Sequence, residues 1–244
     1  MKTFRLLTSA AIAVLMCYFF ASCSKDGSNV KFSKQKRISE LKLSYDNEEP
    51  DIFSLQYDER DRLIKVTLVD ENGMAIEEYA SFVWGDDVIE RTDDWPYTMY
   101  LENGLMQTRT TGYKFTYNKS NRLAKMEINS GGLSINEYIW DADKLIRITS
   151  DSGYTQEITY KEKCKKGYYP IMGIEIDYEN YFLSLAHPEL IGVRTTQLPT
   201  MVKYGNTEYY IDTYSYEFDA EGYVSKVVVS DSDGYTETYA LTWE

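Results

Sequence analysis

The chain has 244 residues, a single histidine and three cysteines, and its formal net charge is −13 at pH 7. This excess of carboxylates argues against nucleic-acid binding, because binding to phosphates requires clustered lysine and arginine. With so few histidines and cysteines, the sequence predicts neither a zinc site nor a disulfide framework, and it contains no cofactor motif.

The first residues have the three parts of a secretory signal peptide. Two basic residues precede an apolar stretch over residues 6 to about 20, which is shorter than the about 20 residues of a comfortable membrane span. Cys23 follows Ala-Ser and resembles the lipidated cysteine of a bacterial lipobox. Residues 1–22 are therefore predicted to be a lipoprotein signal peptide and Cys23 the lipidation site. The alternative is ordinary signal cleavage beside an incidental cysteine.

Residues 23–37 are predicted to be a flexible tether, because their polar and basic composition cannot bury enough apolar surface to fold. Each lipid methylene that enters a membrane contributes about 0.8 kcal/mol, so two or more acyl chains on Cys23 would hold the protein firmly. Ser24-Lys25-Asp26 loosely resembles the signals that send some Gram-negative lipoproteins to the outer face of the outer membrane. We therefore expect a lipid-anchored outer-membrane protein, on either the cell surface or the periplasmic face.

A hairpin unit recurs in residues 38–244, which form the predicted folded domain. It consists of an aromatic residue, Asp or Asn, a tight polar turn, and an aliphatic residue followed by a base and another aliphatic. The copies span residues 57–66, 117–126, 140–148 and 218–227. Each copy leads into a turn that contains glycine, and the following strand reaches another aromatic residue. The short spacing leaves no room for crossover helices, so the unit predicts an antiparallel meander.

Apolar and polar residues alternate along the predicted strands. Phe53, Leu55 and Tyr57 share one face, while Ser54 and Gln56 occupy the other. This pattern predicts a sheet with one buried and one wet face. On the wet face we expect cross-strand ion pairs between a set of regularly placed bases and acids. They are Lys65, Lys125, Arg147 and Lys226, with Glu78, Glu137, Glu157 and Glu237.

The stretch that most resembles a binding site is 93–97. Trp95 and Tyr97 flank a proline in an apparent loop, where the two rings could stack on a sugar, and they are the candidate ligand-binding residues. The alternative is a loop that covers the open end of the sheet. The neighbouring Asp93 is the acid that a hydrolase hypothesis would use. A calcium loop at 231–234 lacks the terminal glutamate of the usual signature, so a turn is favoured there.

The repeat pattern breaks over about residues 161–200, which we interpret as a long insertion. The segment Tyr181 to Ala186 is predicted to form a short helix that Pro188 ends. His187 is interpreted as a polar or capping residue, because no nucleophile motif accompanies it. Cys164 lies among four lysines, which would favour a lower thiol pKa; the alternative is an inert cysteine in a charged turn.

The chain resembles a family of Gram-negative, Bacteroidetes-type lipoproteins of unknown function that is described as having a porin-like fold. The resemblance rests on the Tyr-Asp…Arg-Leu…Lys-Val repeats, the glycine turns, and the segments 190–194 and 198–199. It implies an all-β fold, in which repeated hairpins form a strongly curved sheet or half-barrel. It supplies no activity and no catalytic residues. A transmembrane pore is not expected, because the strands look short and charges interrupt both faces.

Three functional hypotheses remain. The first is a non-enzymatic interaction or envelope-structural module, whose partners are the membrane, through the lipid anchor, and an envelope protein. The second is a glycan-binding accessory lipoprotein of a nutrient uptake system, which would use Trp95 and Tyr97. The third is a hydrolase that depends on Asp93.

Overall fold

The computed structural model describes residues 36–46, 48–129, 131–169 and 181–244. The predicted signal peptide, the lipidation site Cys23 and residues 24–35 of the tether lie outside the described residues. The last two tether residues are part of the folded domain. Arg37 exchanges two backbone hydrogen bonds of 3.0 Å with Glu244.

Sixteen antiparallel strands follow one another in chain order. They are β1 (Ile38–Tyr45), β2 (Asp51–Tyr57), β3 (Leu63–Val69), β4 (Ala75–Trp84), β5 (Val88–Arg91), β6 (Tyr97–Glu102), β7 (Leu105–Arg109), β8 (Tyr113–Tyr117), β9 (Leu123–Asn129), β10 (Leu133–Asp141), β11 (Lys144–Ser150), β12 (Thr155–Lys163), β13 (Gln197–Gly205), β14 (Tyr209–Phe218), β15 (Val224–Ser230) and β16 (Thr236–Trp243).

The sheet closes into a barrel, since β1 pairs with β16 and every other strand pairs with its neighbours in sequence. In the closing pair, Leu41 lies opposite Leu241 and Tyr45 opposite Glu237. The predicted antiparallel meander is confirmed. The sequence left open whether the sheet would close, and the structure shows that closure is complete.

Three of the four repeated units fold into the same turn, while the copy at 140–148 has a two-residue turn at Ala142 and Asp143. The Oδ1 atom of Asp58 accepts the backbone N–H groups of Arg60 and Arg62 at 2.9 and 3.0 Å. Asp61 between them takes a positive φ of 59°. Asn118 and Asp219 hold the corresponding turns in the same way. The Asp or Asn of each of these repeats is therefore fixed by its hydrogen bonds to the turn backbone.

The insertion between β12 and β13 contains the predicted helix α1 (Tyr181–Ala186), followed by a 3-10 helix (Pro188–Ile191). The side chain of Leu183 in α1 is 1% exposed. The ring of Phe182 contacts the rings of Phe53 and Tyr79, at centroid distances of 4.8 and 5.2 Å. Because α1 packs on inward-facing strand residues and shares their apolar core, residues 181–193 of the insertion lie inside the barrel.

The outer wall carries ion pairs. Lys65 binds Glu78 at 2.6 Å and Arg147 binds Glu157 at 2.7 Å, as predicted. The prediction was wrong for the other two bases. They pair with different acids, Lys125 with Glu127 and Lys226 with Glu217, at 2.8 and 3.0 Å. The long lysine side chain reaches either neighbour on this face, so alternation alone does not fix its partner.

Candidate functional site

Because the strands alternate in direction, successive turns lie at opposite ends of the barrel. The two ends differ in their charged residues. We call one the insertion end. It contains both the start of β1 and the end of β16, and the turns 58–62, 85–87, 103–104, 118–122, 142–143 and 219–223, together with the insertion. The other is the acidic end. It comprises the turns 46–50, 70–74, 92–96, 110–112, 130–132, 151–154, 206–208 and 231–235.

Aromatic side chains secure the strands at the insertion end. In seven of the eight hairpins, an aromatic residue near the end of the second strand donates a hydrogen bond to a carbonyl near the start of the first. Trp84 Nε1 donates to Leu63 O at 2.8 Å, for example. The seven donors are Tyr57, Trp84, Tyr117, Trp140, Tyr160, Tyr216 and Trp243. Most of these aromatics are the residues that mark the sequence repeat, so the repeat encodes a structural contact.

The insertion fits between these aromatic side chains. His187 accepts the N–H of Leu63 through Nε2 at 3.1 Å, and its ring meets the edge of Trp84 at a centroid distance of 5.4 Å. With Nε2 as acceptor, the proton is on Nδ1, which lies 3.3 Å from Glu189 Oε1. The predicted polar role of His187 is confirmed, but it caps a strand rather than a helix.

The acidic end has a one-sided charge. Its eight turns contain eleven carboxylates and no lysine or arginine. The acids are Asp46, Glu48, Glu49, Asp70, Glu71, Asp93, Asp94, Asp151, Glu208, Asp231 and Asp233. At the insertion end, the described connections contain both signs of charge, so the net charge there is small. The seven bases are Arg60, Arg62, Lys119, Arg122, Lys165, Lys166 and Arg194, and the nine acids are Asp58, Glu59, Asp61, Asp86, Asp87, Asp143, Glu189, Asp219 and Glu221. The net negative charge of the protein is therefore concentrated at one end of the barrel axis.

A cluster of tyrosines and acids lies on the inner wall near the acidic end, and we call it the tyrosine–acid cluster. Its members come from β1, β12, β13, β14, β16 and the turn after β15. They are Tyr45, Gln156, Tyr204, Asp212, Tyr214, Glu237, Tyr239 and the turn residue Asp231. The Tyr204 hydroxyl donates to Asp212 Oδ1 at 3.3 Å, and the Tyr239 hydroxyl donates to Glu237. This is the part of the interior where polar groups replace the apolar core.

Asp212 is the electrostatic centre of the cluster. Burial raises the pKa of its carboxyl to about 6, and the negative charges of Asp231 and Glu237 act in the same direction. The hydrogen bond from Tyr204 lowers the pKa but does not offset these effects. Among the described residues, no ion pair includes any of the three acids. The cluster therefore carries negative charge that the fold does not balance.

The two predicted ligand-binding residues are not brought together. Trp95 lies in the turn 92–96 with 76% of its surface exposed. Tyr97 is the first residue of β6 and is buried, and the guanidinium groups of Arg91 and Arg109 lie over its ring at 5.6 and 5.0 Å. Tyr97 therefore packs in the wall and does not form a stacking surface with Trp95.

The acids that the sequence analysis singled out fix turns. Asp93 binds Arg91 at 2.6 Å and accepts the N–H groups of Ser81 and Trp95. Burial favours a higher pKa for its carboxyl, but these hydrogen bonds outweigh burial and lower the pKa. Asp231 accepts two N–H groups of its own turn. In the described part of the chain, no group of three or more His, Cys, Asp or Glu is arranged to hold a metal ion.

Two further features have structural explanations. The Cys164 thiol is partly buried, and burial raises its pKa to about 12, which opposes the effect expected from the neighbouring lysines. A shallow groove of about 380 Å³ at the insertion end is lined by the turns 58–62 and 85–86 and by Trp84. Two of the charges that line it are paired, since Arg62 binds Asp58 at 2.6 Å.

Comparison with known proteins identifies the fold. No family model and no curated protein matches the chain. A porin-like protein from Bacteroides uniformis superposes with a TM-score of 0.63 at 17% identity, covering 85% of this chain and 98% of that one. A porin-like protein from Bacteroides vulgatus gives 0.57 at 14% identity, with 86% and 99% covered. The chain has a porin-like fold. At such identities the likeness establishes the architecture of this porin-like barrel and leaves its function to be argued from its own residues.

Proposed function

We propose that this porin-like barrel is a non-enzymatic interaction module of the bacterial outer membrane, anchored through lipid on Cys23. In this proposal it presents its acidic end to an envelope protein or another ligand. The observation that carries the proposal is the polarity of the barrel. Its inside is mainly apolar, and charged residues interrupt its outer wall between exposed apolar residues such as Ile139 and Ile146.

That polarity is the reverse of a membrane-spanning barrel, which has an apolar outer band and a polar interior. Here the interior contains Leu41, Leu63 and Leu183, each at most 1% exposed. The outer wall carries pairs such as Lys65–Glu78 and Arg147–Glu157. Among the described residues, no helix has the length and apolar character needed to cross a membrane. A lipid on Cys23 would supply the attachment that the wall does not favour.

The place where the chain enters the barrel supports an orientation of the barrel relative to the membrane. Lys36 and Arg37 lie at the insertion end, where Lys36 binds Glu221 and Arg37 binds Asp61. The 12 residues between Cys23 and Lys36 reach at most about 45 Å. This reach exceeds the length of the barrel, so the orientation is inferred from the entry point: a lipid on Cys23 would join the chain at the insertion end, and we propose that this end lies nearer the membrane. The acidic end would point away and remain available for a partner.

The anchor is tested by metabolic labelling of the full chain with a palmitate analogue, followed by alkaline extraction of membranes. We expect wild type and the matched control Cys164→Ser to incorporate the label and stay with the membrane. Cys23→Ala should lose the label and appear in the soluble fraction. Retention of Cys23→Ala in extracted membranes would contradict anchoring by lipid and favour a barrel inserted in the bilayer.

The non-enzymatic part of the proposal is supported by the saturation of Asp93 and Asp231 with hydrogen bonds inside their turns. A broad hydrolase panel tests it directly. We expect no turnover by the wild-type protein. Turnover that disappears in Asp93→Asn would contradict a binding role.

Glycan binding is the second candidate function, and exposed aromatic residues at the acidic end favour it. Trp95, Tyr209 and Tyr235 are 76%, 54% and 62% exposed. A glycan array compares wild type with Trp95→Ala and with Tyr100→Ala, which removes a half-exposed ring on the outer wall of the barrel. Binding that is lost only in Trp95→Ala would support this function. Binding that is unchanged in Trp95→Ala would contradict the role of Trp95.

A further inference from the structure

Two carboxylates of the tyrosine–acid cluster, Asp212 and Glu237, each accept one tyrosine hydroxyl, whereas Asp231 is held by N–H groups of its own turn and adds only its charge. The negative charges of Asp231 and Glu237 act on Asp212, and the described ion pairs include none of the three acids. Like charges that share a partly desolvated space are unfavourable unless a cation or proton compensates them. The fold therefore leaves a negative charge on the inner wall, where a bound cation would stabilise it.

Gln156 gives a second, independent indication of a missing donor. Its side chain is 4% exposed, and Oε1 has no hydrogen-bond partner. Gln156 lies directly opposite Tyr204 in the β12–β13 pair, so the two side chains share the inner face. The Tyr204 hydroxyl in turn binds Asp212. A buried amide oxygen without a donor is unfavourable, and a ligand N–H group would satisfy it.

Aromatic faces border the same acids. The rings of Tyr204 and Tyr210 stack at a centroid distance of 5.8 Å, and Tyr154 packs against Tyr204 at 6.4 Å. The negative face of an aromatic ring attracts cations within about 6 Å of its centre. Carboxylates, a buried amide oxygen and ring faces together select for a cation that donates several hydrogen bonds.

A primary ammonium group has this chemistry, since it carries one positive charge and three N–H donors and no acceptor. We propose that the tyrosine–acid cluster binds a primary ammonium group, supplied either by a free polyamine or by a lysine side chain of a basic peptide. The eleven carboxylates of the surrounding turns would raise the local concentration of such cations and speed their association. The inference deepens the proposed function by naming the ligand chemistry of the acidic end, but binding in detergent solution does not depend on the anchor.

The test is isothermal titration of the full lipidated chain in detergent at pH 7.5 and low salt. The probes are spermidine and a pentalysine peptide, with 1,6-hexanediol as the uncharged control. We expect saturable binding of at least one cationic probe with one site per chain, and no binding of the diol. The probe that binds more tightly identifies the source of the ammonium group. Failure of both cations to saturate a site would overturn the proposal.

The affinities of substituted variants distinguish a specific binding site from general attraction by the negative charge of the acidic end. Asp212→Asn should weaken binding at least tenfold, and Gln156→Leu at least threefold. The matched control Glu71→Gln, which removes an exposed carboxylate from another turn of the acidic end, should change affinity less than twofold. Equal losses in Asp212→Asn and Glu71→Gln would mean that only the general field attracts cations. If circular dichroism shows that Asp212→Asn does not fold, the loss of affinity in Gln156→Leu is compared with that in Glu71→Gln instead, and equal losses would again mean that only the general field attracts cations.

The pH dependence gives a signature that a purely structural role would not produce. Asp212 is faced by Tyr204 from β13, Tyr214 from its own strand, Asp231 from the end of β15 and Glu237 from β16. Because protonation of Asp212 removes the charge that holds the ammonium group, wild-type affinity should fall as the pH drops through about 6. Asp212→Asn should lack this step. A wild-type affinity that is constant from pH 5 to 8 would contradict the assignment of Asp212.

Discussion

The two ends of this barrel use the same residue type for different purposes. At the insertion end, tyrosine and tryptophan donate hydrogen bonds to strand carbonyls and pack on the insertion, so their polar atoms are satisfied within the fold. At the acidic end, tyrosines surround carboxylates that no described ion pair balances, and several rings are exposed. The difference indicates that one end stabilises the barrel and the other is available for binding.

The largest effect should come from the insertion. Leu183→Ala removes a side chain that is 1% exposed at the centre of the barrel, and it should lower the free energy of unfolding by about 3 kcal/mol. At the acidic end, Trp95→Ala should change it by no more than about 0.5 kcal/mol. Urea unfolding measures both. A Leu183→Ala variant as stable as wild type would show that the insertion does not fill the core.

Alanine substitutions at two glycines with left-handed backbones, one at each end, provide a second comparison of stability. Gly192 has φ of 64°, and a Cβ atom there would lie 2.4 Å from the backbone oxygen of Asn121. Gly73, at the acidic end, has φ of 77° and open space around it. Gly192→Ala should therefore cost about 2–3 kcal/mol in unfolding free energy, from strain and overpacking, and Gly73→Ala about 1 kcal/mol from strain alone. Equal costs would contradict the close packing of the insertion on the turn 118–122.

A smaller effect should follow from removing one aromatic donor. Trp84→Phe keeps most of the ring but loses the hydrogen bond to Leu63 O, and it should lower the unfolding free energy by about 1 kcal/mol. Trp95→Phe, where the ring is exposed, should leave it unchanged. If the two variants unfold at the same urea concentration, the aromatic contacts of the insertion end do not contribute to stability.

The smallest effect is a change in the pH profile of stability. The pKa of Asp212 is about 6 in the folded protein and lies near 3.8 when the chain is unfolded, so the folded state binds the proton more tightly. Wild-type stability should therefore decrease as the pH rises from about 4 to about 6 and should lose nothing more from this group above that range. Asp212→Asn should become more stable than wild type above pH 6, with the difference closing towards pH 4. Thermal unfolding across this range, with Glu71→Gln as control, measures it.

Much of the fold could be predicted from local sequence. The repeated turns depend on Asp58, Asn118 and Asp219, whose side chains bond their own backbone, and the strands between them alternate visibly. Closure could not be predicted, because the β1–β16 pair joins residues from opposite ends of the domain and leaves no local pattern. The sequence showed that the insertion departs from the repeat pattern, but it did not show that the insertion packs inside the barrel.

The candidate site was harder to predict for the same reason. Tyr97 looked like a loop residue beside Trp95, and nothing in its neighbourhood indicates that Arg109, twelve residues later, lies over its ring. The tyrosine–acid cluster combines residues from five strands and one turn, including Gln156, Asp212 and Glu237. One signal was available in the sequence: once the turns are assigned to alternate ends, the turns of one end contain no lysine or arginine, while bases occur at the other end in the turns 58–62 and 118–122 and in the insertion.

The central claim, that the insertion end faces the membrane and the acidic end faces away, can be measured by fluorescence quenching. Lys119→Cys at the insertion end and Glu71→Cys at the acidic end are each labelled in a Cys164→Ser background, and the lipidated protein is placed on vesicles with quencher-bearing headgroups. The two positions are separated by the barrel length, about 20 Å. The account predicts stronger quenching at position 119. Equal quenching, or stronger quenching at position 71, would contradict it.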